Sequence, residues 1–210
     1  QYGTILDDAA VVARRLVEEE SLVMVPAFDD HAVIAGQGTM GLEILEQVPN
    51  LSLLVVPLGG GGMISGIAQA VKEVKPGVRI VGVEAAAAAS AMASRAAGEV
   101  VKIAHSDTLA DGIATKRVGD LTFPMIEHYV DDLVSVGEEE IAAAILLLLE
   151  RQKTVVEGGG AVGVAALMTD RIRVAGDDTA VFVLSGGNID INMISRIIDR
   201  GLVFDGRLVR

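Results

Sequence analysis

Residues Gly59 to Gly62 join two segments of opposite character, and that junction restricts what the chain can fold into. Before it runs the apolar, β-branched stretch Leu53-Leu54-Val55-Val56-Pro57-Leu58. After it comes Met63-Ile64-Ser65-Gly66-Ile67-Ala68-Gln69-Ala70-Val71-Lys72-Glu73-Val74, apolar at helical spacing. A strand, a glycine turn and a helix start in that order direct unpaired backbone N–H groups at one point, where the helix dipole adds partial positive charge. Such a point is a site for phosphate. Side chains there would block close approach, and the turn is expected to visit positive φ. An ordinary βα turn needs fewer glycines, and a flexible linker would not separate two well-patterned elements.

The run is not a dinucleotide fingerprint. With Gly59 and Gly61 as its first glycines, that motif needs a third where this chain has Ile64. No Gly-Lys-Ser/Thr follows, so it is not a nucleotide P-loop either. A small phosphate monoester with no attached metal remains, and a phosphorylated cofactor such as pyridoxal 5'-phosphate (PLP) fits better than a nucleoside triphosphate.

The chain's 210 residues suit one good-sized domain, or one domain and part of another. It is 51% hydrophobic but only 3% aromatic, so Ala, Val, Ile and Leu must fill the core, as is common in α/β enzymes. A formal charge of −12 argues against nucleic acid or an anionic membrane as partner. An acidic chain that binds an anion needs a local trap, which the glycine loop offers. The absence of cysteine excludes disulfides, thiolate metal sites and a Cys nucleophile. The longest apolar run, Ile141 to Leu149, is too short to span a bilayer, no signal peptide is visible, and a cytoplasmic location is the expectation. Gln1 opens the chain on what reads as mid-domain sequence, so a segment of something longer is expected.

Along the chain, Asp7 or Asp8 is expected to cap a helix through Glu20, with Val11, Val12, Leu16 and Val17 on one face. Leu22 to Pro26 reads as a short buried strand, and Gly38 to Val48 as a helix. The strand at 53–58 and the helix at 63–75 follow, stopped by Pro76-Gly77. Strands are expected at Arg79 to Glu84, Leu133 to Val136 and Ala180 to Leu184. Helices are expected over Glu138 to Lys153, Gly158 to Asp170 and Ile189 to Arg200, the last ending at Gly201, and Ala85 to Ala97 reads as an alanine-dominated helix or loop-helix. The alternation predicts an α/β fold: a mostly parallel open sheet with helices on both faces. Ligands of such sheets sit at the carboxyl ends of strands. The clusters Gly59–Gly62, Gly158–Gly160 and Gly186–Gly187 fall at such ends or at helix starts, and could converge on one cleft.

Among polar residues, Ser185 follows the strand Val181-Phe182-Val183-Leu184 and begins Ser185-Gly186-Gly187-Asn188. Its hydroxyl either meets a flat ligand at the strand tip or caps the next helix. Glu157, before Gly158-Gly159-Gly160, either orients a ligand or is a first-turn acid favoured by the dipole. Asp111-Gly112 reads by itself as a turn. His31, His105 and His128 share no metal spacing and read as surface or loop residues. Asp29-Asp30, Asp131-Asp132 and Asp177-Asp178 read as turns and caps. None of Lys72, Lys75, Lys102, Lys116 and Lys153 has the apolar surroundings of a lysine with a depressed pKa. No recognisable nucleophile elbow is present.

Four spaced segments then stand together: Val33-Ile34-Ala35-Gly36-Gln37-Gly38-Thr39; Gly59-Gly60-Gly61-Gly62-Met63-Ile64-Ser65-Gly66; Leu109-Ala110-Asp111-Gly112-Ile113-Ala114 with Gly119-Asp120-Leu121-Thr122-Phe123-Pro124; and Ser185-Gly186-Gly187-Asn188-Ile189-Asp190. In kind and order they resemble the threonine dehydratase (threonine ammonia-lyase) and serine racemase branch of the PLP-dependent enzymes of fold type II, the tryptophan synthase β-like fold. The resemblance runs over nearly the whole chain. It implies that Gly59, Gly60, Gly61, Gly62 and the amide of Met63 hold the PLP phosphate, that Ser185 hydrogen-bonds the pyridine nitrogen, and that Gly112 and Glu157 line the cofactor. A hydroxyl cannot keep that nitrogen protonated as a carboxylate would, which makes the ring a weaker electron sink and suits β-elimination over transamination.

The implied reaction is dehydration and deamination of L-threonine or L-serine to 2-oxobutanoate or pyruvate and ammonia. Serine racemase is one alternative, and a non-catalytic segment that binds a phosphorylated ligand is another. By the same resemblance, residues 1–20 match the end of a small domain and 21–210 much of the large PLP-binding domain, so the fold is expected to be partial. The family's Schiff-base lysine is then expected upstream of Gln1. No metal is expected, because relatives that bind a divalent cation carry a carboxylate where this chain has Ser90, after Glu84. The family forms dimers or tetramers, which implies a homo-oligomer acting on a small amino acid.

Overall fold

A computed structural model describes residues 6–204 and 206–208 of the chain. Four strands, β1 (Leu53–Pro57), β2 (Arg79–Ala85), β3 (Asp132–Val136) and β4 (Ala180–Phe182), form a wholly parallel sheet in the order β3-β2-β1-β4. Its register runs from Leu53 beside Arg79 to Pro57 beside Val83, and from Leu53 beside Ala180 to Val55 beside Phe182. On the other side, Val81 to Ala85 lie beside Asp132 to Val136. Pro57 occurs at the last position of β1, where a missing N–H disturbs the ladder least. Leu58 resumes the pattern at once by donating to Val83 O at 2.8 Å.

The described residues form eight α-helices: α1 (Leu6–Glu20), α2 (His31–Gln47), α3 (Gly62–Val74), α4 (Ser90–Ala97), α5 (Thr122–Tyr129), α6 (Glu138–Gln152), α7 (Gly158–Met168) and α8 (Ile191–Phe204). Single 3₁₀ turns cover Ala86–Ala88 and Asp111–Ile113. Because side chains alternate across a strand, Leu53, Val55, Val81 and Val83 enter one core with Ile141, Ile145 and Val162, while Leu54, Val56 and Ile80 enter another with Ile64, Ile67 and Ile126. The strands therefore read as continuous apolar runs, both faces being covered.

The α2–α3 crossing depends on small residues. A Cβ on Gly66 would come within 2.7 Å of Gly38 N and closer still to the Ile34 carbonyl oxygen; one on Gly41 would lie 2.9 Å from the Ile67 oxygen. Asp30 starts α2 by accepting from Ala32 N at 2.8 Å and Val33 N at 3.1 Å. Helix α2 thus begins at His31, well before the expected Gly38.

Other expectations need correction. Leu22 to Pro26 is no strand, and Val23 and Val25 are 89% and 74% exposed. β-propensity does not make a strand without a neighbour to pair with, and none is present among the described residues. On α1, Val11 and Leu16 of the expected apolar face are exposed. The helix already includes Leu6, so Asp7 and Asp8 lie within it; residues 1–5 of the expected small-domain segment are outside the described residues. Of the two readings of Ala85 to Ala97 the loop-helix holds, with a 3₁₀ turn over Ala86–Ala88 ahead of α4. Helix α8 runs through Gly201, which packs on α6 with Ala142 O 3.2 Å from its would-be Cβ.

Candidate functional site

The connections from β1 to β2 and β3 go to one side, and β4 lies on the other. The chain order therefore reverses beside β1, and a crevice opens outside the carboxyl ends of β1 and β4. The glycine loop leaves β1 there, and Ser185 follows β4. A cavity of about 270 Å³ at this point is lined by Gly59 to Gly62, Met63, Gly112, Glu157 and Ser185, with Phe28, Gln37, Ile113 and Thr115 also in its wall. The structure thus brings every residue singled out for the site around one space. No lysine is among the lining residues. Lys72 pairs with Asp131 at 2.8 Å, Lys75 donates to Pro49 O and Lys153 to Glu150 O.

The glycine loop is packed as tightly as its composition suggested. Gly61, the residue before α3, has φ 97°, the left-handed region, and contributes no side-chain cap. The first N–H groups of α3 accordingly have no intrahelical acceptor and no side-chain cap among the described residues. A Cβ on Gly60 would lie 2.5 Å from Phe28 Cδ2, and one on Gly59 2.8 Å from Ile113 Cα. Only bare backbone fits between Phe28, Ile113 and the cavity. A cradle of unpaired amides at the positive end of a buried helix suits a phosphate group.

Across the cavity, Ser185 is exposed, and the cap of α8 comes instead from Asp190, whose Oδ1 accepts from Asn192 N at 2.8 Å. The capping alternative for Ser185 is thereby set aside. Glu157 precedes α7 but makes no side-chain cap; its Oε2 accepts from Asn188 N at 2.9 Å. Its other oxygen lies over the glycines: 3.1 Å from a would-be Cβ on Gly112 and 2.5 Å from one on Gly186. The backbone joins the same parts, since Glu157 N donates to Gly186 O at 3.0 Å. Gly112 sits in a 3₁₀ turn with Asp111 Oδ1 accepting its N–H, so the expected turn at Asp111-Gly112 and the wall of the cavity are one feature. Glu157 also borders a second cavity of about 380 Å³, shared with Glu138, Asn188 and Arg200.

Sequence reasoning assigned no site role to Phe28, Gln37 or Thr115. Gln37 stood within a quoted motif, Gly36-Gln37-Gly38-Thr39, whose pattern signalled it without giving its place. Of the acidic pairs, Asp30 caps α2 and Asp178 closes a turn by accepting from Ala175 N, as expected, whereas Asp29 and Asp131 reach across the chain. Asp29 accepts from three amides at the start of α5, and Asp131 accepts from Ile80 N at 2.7 Å.

Glu84 is the carboxylate that follows the strand face inward. It is fully buried, and its two oxygens accept from Ala91 N and Met92 N at 2.8 Å each. Burial pushes its pKa up to about 7, against the opposing pull of the α4 amides. The Ser90 hydroxyl, buried beside it, has no hydrogen-bond partner among the described residues. With both Glu84 oxygens engaged by backbone and a neutral hydroxyl at Ser90, this corner does not fit a divalent cation, which takes several charged or carbonyl oxygens.

The sequence model described as "Pyridoxal-phosphate dependent enzyme" matches residues 1–186. An L-threonine ammonia-lyase of Thermotoga maritima is 51% identical over 207 residues, covering 99% of this chain and 51% of its own length. Among solved structures, the processed form of threonine deaminase isoform 2 from Solanum lycopersicum superposes with a TM-score of 0.87 at 35% identity, over 95% of this chain and 58% of that one. Maize serine racemase superposes with a TM-score of 0.85 at 32% identity, over 98% and 63%. The chain spans about half the length of the relatives it matches first, 51% and 52%. These likenesses and the cavity lead to one conclusion: the chain belongs to the family of pyridoxal-phosphate dependent enzymes.

Proposed function

We propose that this chain forms the cofactor-holding part of a PLP-dependent lyase that dehydrates and deaminates L-threonine or L-serine to 2-oxobutanoate or pyruvate and ammonia. The observation that carries this reading is the single cavity in which the amides at the start of α3 face Ser185 and Glu157 across the sheet's switch point. When bound, PLP supplies an electron sink that acidifies the substrate's Cα–H and lets the β-hydroxyl leave. In this reading Gly59 to Gly62 and the Met63 amide hold the phosphate, with no metal between them. The hydroxyl of Ser185 meets the pyridine nitrogen as a neutral partner. Gly112, which has no side chain, and Glu157, tied to Asn188 N, would line the cofactor. The 51% identity to a threonine ammonia-lyase supports the substrate class.

The likeness to serine racemase favours a second reading, reprotonation at Cα in place of β-elimination. Residues 1–20 are assigned to the end of a smaller domain and 21–210 to much of the larger one, in a cytoplasmic dimer or tetramer. The described helices include none long and apolar enough to cross a membrane. The test uses the protein at its full natural length. PLP is titrated by absorbance, then L-threonine and L-serine are supplied while 2-oxobutanoate, pyruvate and D-serine are measured. Oxo-acid release is expected. D-serine as the main product would transfer the assignment to the racemase, and absence of PLP binding would remove both.

A further inference from the structure

The glycine loop is held in shape from behind the cavity. The Gly60 carbonyl oxygen accepts from Thr122 Oγ1 at 2.7 Å and from Gly119 N at 3.1 Å, and Gly119 N also lies 2.9 Å from Thr122 Oγ1. Thr122 is fully buried. Its own helix start is clamped in turn, because the carboxylate of Asp29 accepts from the amides of Asp120, Leu121 and Thr122 at 3.0, 2.9 and 3.3 Å. A trans peptide points its carbonyl and its N–H in opposite directions, and no cis bond occurs among the described residues. With the Gly60 oxygen fixed on Thr122, the N–H of Gly61 must face away from α5. The space a side chain at Gly61 would need is already filled, with Thr122 Oγ1 2.7 Å from the would-be Cβ.

Resting on the cofactor-holding reading, we propose that Thr122 is a positioning residue for the phosphate cradle. Its hydroxyl locks the Gly60–Gly61 peptide in the orientation that presents the loop amides to the anion, and Asp29 keeps Thr122 in place. Thr122 itself is not among the residues that line the cavity. Without the hydroxyl, the buried Gly60 oxygen keeps only the Gly119 N–H and the peptide gains freedom to rotate. Phosphate recognition should then suffer while contacts to the aromatic ring persist.

The test compares PLP with pyridoxal, which lacks the phosphate, by titration of the full-length protein as wild type, Thr122→Val and Thr122→Ser. Thr122→Val is expected to weaken PLP binding roughly tenfold, the range for a lost buried hydrogen bond, and to leave pyridoxal binding unchanged. Thr122→Ser is expected to restore most of the loss, which a purely steric role for the side chain would not predict. An equal loss for both ligands, or none for PLP, overturns the proposal while the cofactor reading stands. A wild type that does not prefer PLP to pyridoxal overturns both. Should Thr122→Val fail to fold, Asp29→Asn disturbs the same clamp from its far end; a PLP-selective loss then supports the proposal, and no selectivity overturns it.

Discussion

Replacing Gly66 by alanine adds one methyl group at the place where α3 crosses α2, and the backbone leaves nowhere for it to go. The new carbon would lie 2.7 Å from Gly38 N and 3.0 Å from Gln37 Cβ, and nearer than either to the Ile34 carbonyl oxygen. Because the obstacles are largely backbone, no rotamer change relieves them, and the two helices must part by roughly 1 Å. A gap of that size forfeits a quarter to a half of the dispersion well for each affected atom pair. The contacts concerned are those around Ile34, Ile67 and Val71, all fully or nearly fully buried. Overpacking typically costs 1–3 kcal/mol, and a backbone obstacle belongs at the top, so we expect a loss of about 3 kcal/mol. For a domain of this size that lowers Tm by roughly 6–12 °C. Gly36 provides the control. It lies in the same α2, has nothing within 4 Å of a would-be Cβ, and is exposed. There, alanine should stabilise by about 0.5–1 kcal/mol through helix propensity alone. Urea unfolding followed by circular dichroism at equal slope reads both. Equal midpoints for Gly66→Ala and wild type, or a Gly36→Ala midpoint as low as that of Gly66→Ala, would refute the account of the crossing.

Two further outcomes follow from particular groups. Glu84 has a folded pKa raised from 4.5 to about 7, so its protonated form is favoured by folding; stability from this group is fully present below pH 4.5 and is lost as pH rises through 7. The difference is on the order of 3 kcal/mol, and Glu84→Gln should flatten the urea midpoint between pH 5 and 8; an unchanged pH profile would count against a buried titrating carboxylate. Gly61→Ala forces φ 97° on a residue with a Cβ and crowds Thr122, so it should cost about 1–3 kcal/mol of stability and weaken PLP binding, both read from thermal scans with and without PLP; a variant as stable and as responsive to PLP as wild type would show that the loop tolerates other shapes.

Strands β1 to β4 and helices α3, α6 and α7 were legible because β-branched runs and 3.6-residue periods met clear stops such as Pro76-Gly77. The glycine loop was legible for the same reason: its neighbours left little other use for it. Helix α5 was missed, since Thr122-Phe123-Pro124 carries a proline near its start and its capping groups come from Asp29, 93 positions before Thr122, a pairing no local pattern reveals. The start of α2 was misplaced because Gly36 and Gly38 interrupt the apolar stripe, and both serve packing or exposure that only the helix crossing decides. The segment from Leu22 to Val25 has strand-like composition, but composition cannot supply a pairing partner. Ser185 and Glu157 were found as residues while their choices between capping and cavity stayed open; the position of Asp190 and the reach of Glu157 to Asn188 depend on tertiary geometry.

All five residues of β1 are buried, and the strand has partners on both sides. The glycine loop therefore begins two residues beyond the end of this buried strand, and the donors proposed to hold the anion are already arranged before any ligand arrives. Affinity gained there is not spent on ordering a loose segment, so ligand capture should proceed with little change in backbone amide exchange across β1 and α3.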